Sequence, residues 1–155
     1  MPEVIRQQLG DFSSIVCLKA LITGMEDALG EKTTAIALTT AGRNRGKKLA
    51  QSLGLTGASV SLDDIAYKLR LAFGKEGTRL CIIEKIEQDK DIIKVYAAET
   101  VCSVGELQGT PRLCTFTLGA VWGALEEILG KRFQGKHIAS VLQGSDYDVF
   151  EFTPW

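Results

Sequence analysis

The residues able to carry chemistry are few, and their spacing matches no familiar active site. The single histidine, His137, stands in a Gly-Lys-His stretch at the edge of a predicted strand, with no partner visible beside it. Glu126 and Glu127 are adjacent, so on a helix they point in different directions and do not share a proton. Dinucleotide-binding, EF-hand and H-E-x-x-H motifs are absent from the sequence. A non-catalytic role is therefore favoured over an enzyme, and no cofactor is expected.

The four cysteines, Cys17, Cys81, Cys102 and Cys114, include no Cys-x-x-Cys pair of the kind that indicates a zinc site or a redox pair. Each lies in an apolar neighbourhood. Because free cysteine behaves as a small hydrophobic side chain, we expect four reduced thiols in the core.

A basic stretch follows Gly42, with four cations within six residues and a second glycine at position 46. It lacks the Gly-x-x-x-x-Gly-Lys-Ser/Thr spacing of a phosphate-binding loop. The cations either form a solvated helix face, which is the commoner outcome, or neutralise an anionic ligand group. In the second case Arg43 and Arg45 are the candidates to pair with a ligand carboxylate.

Length and composition predict an ordinary globular protein. The 155 residues suffice for one domain, with 45% hydrophobic and 24% charged residues. A net charge of −1 gives no reason to expect nucleic acid as a partner. No stretch is long and apolar enough for a membrane span, and the N-terminus lacks the layout of a secretory signal. We expect a cytoplasmic protein, with residues 1–12 as a lead-in and residues 13–155 as one domain.

The stretch Thr110–Pro154 predicts a helix followed by a two-stranded hairpin, which the other elements are expected to cover. Thr110 is a suitable N-cap, Pro111 fits the first helical position, and Gly130 can end the helix. The helix is expected to bury one apolar face and to turn its glutamates toward the other side.

Two glycines inside this helix, Gly119 and Gly123, need an explanation, because each interior glycine costs ~1 kcal/mol relative to alanine. A neighbour must approach closely at this point. One alternative is the backbone of another helix, for which Gly42 and Gly46 are the candidate surface. The other is a ligand lying along the groove, and the two can coexist.

The remaining elements follow from periodicity and glycine stops. Helices are predicted over about 13–29, 34–53 and 61–73, each followed by a glycine. Strands are predicted over 78–87 and 91–99, and then over 133–142 and 147–153. The order α-α-α-β-β-α-β-β predicts an α+β domain with a four-stranded, mainly antiparallel sheet covered by helices on one face.

Two patterns in the C-terminal part resemble a known family. They are Cys-x-Phe-x-x-Gly-x-x-x-Gly-x-Leu-Glu-x-x-Leu-Gly-Lys from Cys114 and Gly-x-x-x-Asp-x-Phe-x-Phe from Gly144. Together they are similar to the 4-vinyl reductase domain family of hydrocarbon-binding proteins, which shares its fold with subunits of the TRAPP vesicle-tethering complex. The resemblance implies a dimer with an apolar pocket between helices and sheet.

Candidate ligand-binding residues follow from this resemblance and from the paired glycine stripes. They are Cys114, Phe116, Leu118, Gly119, Trp122 and Gly123 on the main helix, with Arg43 and Arg45 on the opposite helix.

The metal chemistry of the family is not expected here. Family members often carry cysteines flanking the glycine of the last hairpin, where this chain has Ser140, Val141 and Asp148. Cys102 and Cys114 remain as weak candidates, because two thiolates without further ligands make a weak zinc site.

Three functions are left open. The leading one is a homodimeric module that holds a hydrophobic small molecule, such as a hydrocarbon, an acyl chain or a tetrapyrrole-like compound, in a sensory or accessory role. The second is an accessory or reductase protein of tetrapyrrole metabolism. The third is a structural assembly subunit whose pocket is filled by its own side chains.

Overall fold

The computed structural model describes residues 6–10 and 13–155, and within them it contains four α-helices and four strands. The helices are α1 (Ile15–Leu29), α2 (Glu31–Ser52), α3 (Leu62–Phe73) and α4 (Thr115–Leu129). The strands are β1 (Ile82–Asp89), β2 (Ile92–Ala98), β3 (Phe133–Ala139) and β4 (Asp148–Pro154). The predicted order of elements is confirmed, whereas the expected lead-in falls largely on residues outside the described part.

The sheet is a single antiparallel layer with the strand order β1-β2-β4-β3. Alternation along β2 buries Ile93, Val95 and Ala97. On β4, Phe150 and Phe152 are fully buried, as their alternation with Val149 and Glu151 predicts. The helices cover this apolar face, so the predicted α+β architecture is confirmed.

The ends of the first three helices follow the expected capping chemistry. The hydroxyl of Ser14 accepts a hydrogen bond from the Cys17 amide at 3.1 Å, and Ser61 caps α3 in the same way through Asp64. Gly30, with a φ of +84°, ends α1 and lets α2 begin at the next residue. In the described part of the chain, no helix is both long and apolar enough to cross a bilayer.

The predicted start of α4 is wrong, because the helix begins at Thr115 rather than behind Thr110 and Pro111. A helix from Thr110 would pair its carbonyl with the amide of Cys114. Instead, the Thr110 carbonyl accepts from the side chain of Gln143 at 2.6 Å. The Cys114 amide donates to Nδ1 of His137 at 3.2 Å. Both groups therefore have partners in other parts of the fold.

The two glycine pairs meet where α2 crosses α4. A Cβ atom built on Gly46 would lie 1.9 Å from the carbonyl oxygen of Ala120, and one on Gly123 would lie 2.0 Å from that of Arg43. A Cβ on Gly119 would lie 2.4 Å from the carbonyl oxygen of Thr39. Such distances leave no room for any side chain. The helix-crossing alternative is confirmed, with Gly42 and Gly46 as the opposing surface.

Candidate ligand-binding cavity

A cavity of about 300 Å³ lies between α1, the first turns of α2 and the segment from Val101 to Phe116. Its wall is mixed, because both the helices and the segment contribute apolar and charged side chains. The lining residues include Lys19, Ile22, Glu26, Thr34, Ala35, Leu38, Cys102, Glu106, Arg112, Cys114 and Phe116. Of the predicted ligand-binding residues, Cys114 and Phe116 line this cavity.

A disulfide closes the segment that forms one wall of the cavity. Cys102 and Cys114 are bonded, and the residues between them include Glu106, Thr110, Arg112 and other lining residues. The expectation of four reduced core thiols is therefore wrong for this pair. It is also wrong for Cys17, which is exposed, and only Cys81 is a free buried thiol. Sequence spacing missed the pairing because the two cysteines meet through the irregular course of the segment, not through a helix or a hairpin.

Four charged side chains of the cavity wall pair with one another, namely Lys19, Glu26, Glu106 and Arg112. Lys19 Nζ donates to Glu106 Oε1 at 2.8 Å and to the carbonyls of Val104 and Cys102 at 2.9 and 3.2 Å. Arg112 bridges the same carboxylate and Glu26, with distances of 2.5 Å to each. The hydrogen bond from Lys19 is the main cause that lowers the pKa of Glu106 below its usual value. The network ties α1 to the disulfide-closed segment.

One polar atom at the cavity has no such partner. Thr34, in the first turns of α2, is 1% exposed and lines the cavity. Its Oγ1 atom has no hydrogen-bond partner among the residues that the structure describes. The oxygen has almost no accessible surface, so it is buried within the wall and does not face the open space of the cavity.

Behind the disulfide, a buried histidine pairs with an aspartate that the sequence gave no reason to connect with it. Oδ1 of Asp148 lies 3.1 Å from Nε2 of His137, and Oδ2 accepts from the hydroxyl of Thr100 at 2.6 Å. Burial acts to raise the pKa of Asp148. The hydrogen bonds from His137 and Thr100 outweigh it and hold the pKa below its usual value.

This pair is not arranged for acid–base catalysis. Nδ1 of His137 accepts the amide hydrogen of Cys114 and Nε2 faces Asp148, so both ring nitrogens have protein partners. A general base needs a free nitrogen that can reach a substrate proton. The geometry makes the pair a structural connection between β3, β4 and the start of α4.

The same region holds the potential metal-ligating groups. Cys102, Cys114 and Asp148 are buried, and one ligand atom of each lies within 4.8 Å of the other two. The two sulfur atoms are bonded to each other. The Asp148 carboxylate accepts hydrogen bonds from Thr100, His137 and the Val141 amide. In this state the donor set does not fit a metal ion, because thiolates are the ligating form of cysteine.

A second, wider cleft of about 1100 Å³ lies on the other side of Phe116, which lines both spaces. Its wall includes Leu18 and Leu21 of α1, Phe73 of α3 and the predicted candidate Arg45. The cleft is more open than the cavity. Phe116 is therefore the one predicted residue that contacts both possible ligand spaces.

The other predicted residues lie away from the cavity. Leu118 is in the core, and Gly119 and Gly123 contact the backbone of α2. Trp122 donates to the Phe133 carbonyl at 3.0 Å. Arg43 lies over the Trp122 ring at 4.4 Å and pairs with Glu126 at 2.6 Å. These contacts give each of the residues a structural role. That any of them contacts a ligand remains a prediction.

Sequence reasoning missed the polar part of the cavity, namely Lys19, Glu106, Arg112 and Thr34. The apolar periodicity of α1 placed Ile22 correctly on a buried face. It carried no signal that Lys19, one turn earlier, reaches acceptors more than eighty residues along the chain.

The architecture is defined by helices on one face of a four-stranded antiparallel sheet with the strand order β1-β2-β4-β3. The helices and sheet have the same fold as a vinyl-4-reductase family protein and a subunit of the trafficking protein particle complex. No protein-family model matches the sequence, and no curated protein matches it.

Solved structures do match. The phenol-responsive sensory domain of the transcription activator PoxR, with phenol, has a TM-score of 0.71 and 13% identity over 92% of this chain and 75% of that one. Subunit 3 of the complex from Naegleria fowleri, covalently bound to palmitic acid, has a TM-score of 0.62 and 17% identity, covering 91% and 92%. A vinyl-4-reductase family protein from Methanocaldococcus jannaschii has a TM-score of 0.59 and 18% identity, covering 98% and 90%. At these identities the likeness concerns the fold.

Proposed function

We propose that the protein is a non-catalytic, homodimeric small-molecule-binding module with a sensory or accessory role, and that its ligand occupies the 300 Å³ cavity. The observation that carries the proposal is the cavity itself, to which α1 and α2 contribute the apolar side chains of Ile22, Ala35 and Leu38. The fold supports it, because two solved structures with this fold were determined with phenol and with palmitic acid.

The volume narrows the range of ligands. At the packing density of protein interiors, 300 Å³ holds about a dozen non-hydrogen atoms. That is enough for a small hydrocarbon or a substituted single ring. A tetrapyrrole is several times larger, and a long acyl chain matches the open cleft beside Phe116 better than the cavity. We therefore favour a small hydrophobic compound.

The test fills the cavity with a side chain. Ala35 lines the cavity, whereas Ala37, two residues further on α2, is exposed and does not. Ala35→Trp is expected to abolish binding of single-ring probes such as toluene, measured by calorimetry and by the shift in unfolding temperature. Ala37→Trp should bind as the wild type does. Native mass spectrometry of the purified protein provides the second readout, since it would detect a retained ligand.

Two results would contradict the proposal. One is that neither toluene nor any other small apolar probe binds the wild-type protein. The other is that Ala35→Trp and Ala37→Trp bind the probe equally, because the binding site would then lie elsewhere.

A structural assembly subunit is the second candidate, and one observation favours it. The α2–α4 crossing, where a ligand groove was one alternative, is packed backbone to backbone at Gly46 and Gly123. Failure of every probe to bind, together with stable association with another protein, would favour this alternative.

The homodimer is part of the proposal and is supported by exposed apolar side chains on the first two helices. Leu21 is 59% exposed and Ile36 is 63% exposed, and such side chains are candidates for an interface. Light scattering is expected to give twice the chain mass, and Ile36→Glu to shift it toward the monomer. Leu107→Glu, at a loop position that is 80% exposed, is the matched control and should leave the mass unchanged.

The cytoplasmic location expected from the sequence also remains a proposal, and one observation weighs against it. Cys102 is bonded to Cys114, and disulfides are rare in the reducing cytosol. Cell fractionation, combined with mass spectrometry of the unreduced protein, tests the location and the bond together.

A further inference from the structure

The wider cleft beside Phe116 offers room and apolar surface for a molecule of a different shape from the one proposed for the cavity. Its volume is about 1100 Å³, and the apolar side chains of Leu18, Leu21, Phe73, Leu80 and Phe116 line it. At the packing density of protein interiors, this space holds about forty non-hydrogen atoms. An extended chain therefore fits here, whereas the cavity takes only a small compound.

The charged side chains of the cleft have one sign. Arg45 of α2 and Arg79 ahead of β1 line it, and no aspartate or glutamate is found among the lining residues that the structure describes. The cavity differs, because Glu26, Glu31 and Glu106 line it together with its cations. An apolar cleft with positive charge and no acid attracts an anion and repels a cation.

Arg45 is the cation on which the inference depends. It is half-buried, and within the described part of the chain it has no hydrogen bond, ion pair or ring contact. Arg43, two residues earlier and so about 200° around the helix, is instead held by Glu126 and the Trp122 ring. The planar guanidinium group can donate two parallel hydrogen bonds to a carboxylate, so Arg45 has the chemistry to hold an anionic head group.

We propose that this cleft is a second ligand site, separate from the cavity, for a single-chain amphiphile with an anionic head group. Arg45 pairs with the head group, and the apolar chain lies against Leu18, Phe73 and Phe116. The inference goes beyond the function proposed above, since it concerns another space and another class of ligand.

The experiment compares two probes with the same chain and opposite charges, dodecanoate and dodecyltrimethylammonium, on the whole protein and below the concentrations at which they form micelles. Calorimetry is expected to show tighter binding of dodecanoate. Arg45→Gln should weaken dodecanoate binding about three- to tenfold, as the loss of one charge-assisted contact predicts. Arg45→Lys keeps the charge and should retain part of the affinity.

A matched control removes a different cation from the same helix. Lys48 is exposed on α2 and does not line the cleft, so Lys48→Gln should bind dodecanoate as the wild type does. Thermal unfolding of each variant identifies any loss of binding that is caused by misfolding.

Two further measurements locate the bound probe. Cys17 is exposed and lies in the cleft wall, so bound dodecanoate should slow its alkylation by iodoacetamide several-fold in the wild-type protein. Ala35→Trp, which fills the cavity, should leave dodecanoate binding unchanged, because Ala35 does not line the cleft.

Several outcomes would overturn the inference. If Arg45→Gln and Lys48→Gln bind dodecanoate equally, the Arg45 guanidinium group extends into water and holds no head group. If Ala35→Trp abolishes dodecanoate binding, the probe occupies the cavity. If dodecanoate halves the mass measured by light scattering, the cleft belongs to a second copy of the chain, since Leu21 is exposed at its wall.

Failure of the inference is distinguishable from failure of the proposed function. If toluene binds and dodecanoate does not, the cleft is no ligand site and the cavity proposal stands. If dodecanoate binds and protects Cys17 while no small apolar probe binds, the cavity proposal fails and the cleft site stands.

Discussion

The Nε2 atom of His137 lies 3.1 Å from Oδ1 of Asp148, and each side chain is 1% exposed. Since Nδ1 of the same ring accepts the Cys114 amide hydrogen, Nε2 carries the proton and donates it to the carboxylate. Thr100 donates to the other carboxylate oxygen. This chain of hydrogen bonds joins the start of α4, the last two strands and the region of the disulfide behind the cavity.

The first prediction concerns this carboxylate. Because hydrogen bonds hold the pKa of Asp148 below its usual value in the folded protein, the charged form stabilises the fold. The contribution is fully present above the unfolded-state pKa of about 3.9 and is lost as the pH falls through the folded-state pKa. Asp148→Asn should reduce the free energy of unfolding by about 1–3 kcal/mol at pH 7 and by less at pH 3.

Denaturant unfolding of both proteins at the two pH values measures this effect. Asp91→Asn, at an exposed position in the turn between β1 and β2, is the matched control and should change stability little at either pH. An equal loss for Asp148→Asn at pH 7 and pH 3 would show that the carboxylate charge does not stabilise the fold.

The His137–Asp148 pair also shows where prediction from the sequence stops. The hairpin of β3 and β4 was predictable from alternation and from the Gln143-Gly144-Ser145-Asp146 stretch between its strands. The pairing of His137 with Asp148 depends on two further features. These are a register shift between β3 and β4 next to His137 and the turn of 3₁₀-helix Val141–Gln143. Neither has a local pattern strong enough to fix which side chains meet.

The second prediction concerns the crossing of α2 and α4, where the sequence carried a strong signal. Gly46→Ala would place its Cβ against the Ala120 carbonyl and force the helices apart. We expect a loss of about 1–3 kcal/mol or more in the free energy of unfolding, as in other overpacked cores. Gly24→Ala is the matched control, because Gly24 is interior to α1 with nothing within 4 Å of its Cβ position.

The control variant Gly24→Ala should change the free energy of unfolding in the opposite direction. Alanine at an open position inside a helix is favoured over glycine, so Gly24→Ala is expected to stabilise by about 0.5–1 kcal/mol. Denaturant midpoints of the two variants measure the contrast. Equal stability of Gly46→Ala and the wild type would mean that the helices are further apart than the structure shows.

The crossing of α2 and α4 was predictable from the sequence, whereas the cavity beside α1 was not, and the difference has a physical reason. Glycines four residues apart in a helix are costly unless another backbone approaches, so Gly42, Gly46, Gly119 and Gly123 together specify their own partner. The cavity is formed by side chains from α1, α2 and an irregular segment. Space left between elements depends on how all of them pack, and no residue type in the sequence marks it.

The third prediction concerns the disulfide. Cys102 and Cys114 are separated by 12 residues, and a bridge across a loop of this size stabilises by about 3 kcal/mol in the chain-entropy model. The double variant Cys102→Ser, Cys114→Ser should lose about this much in the free energy of unfolding. A reductant should destabilise the wild type similarly and leave the double variant unchanged. A wild-type midpoint that does not respond to the reductant under denaturing conditions would contradict the bond.

The last prediction concerns the two free thiols, which should differ sharply in reactivity. Cys17 is exposed on α1, whereas Cys81 is 3% exposed. Burial, together with the nearby Asp148 carboxylate, raises the pKa of Cys81 to about 12. The thiolate is the reactive form, so at pH 8 almost all of Cys81 is in the unreactive thiol form even if the reagent reaches it. Iodoacetamide applied without reductant should therefore modify Cys17 alone, as read by peptide mapping.

In the control variant Cys17→Ser, no label should appear until denaturant is added, at which point Cys81 reacts. Rapid modification of native Cys81 would mean that the core beside β1 opens to solvent.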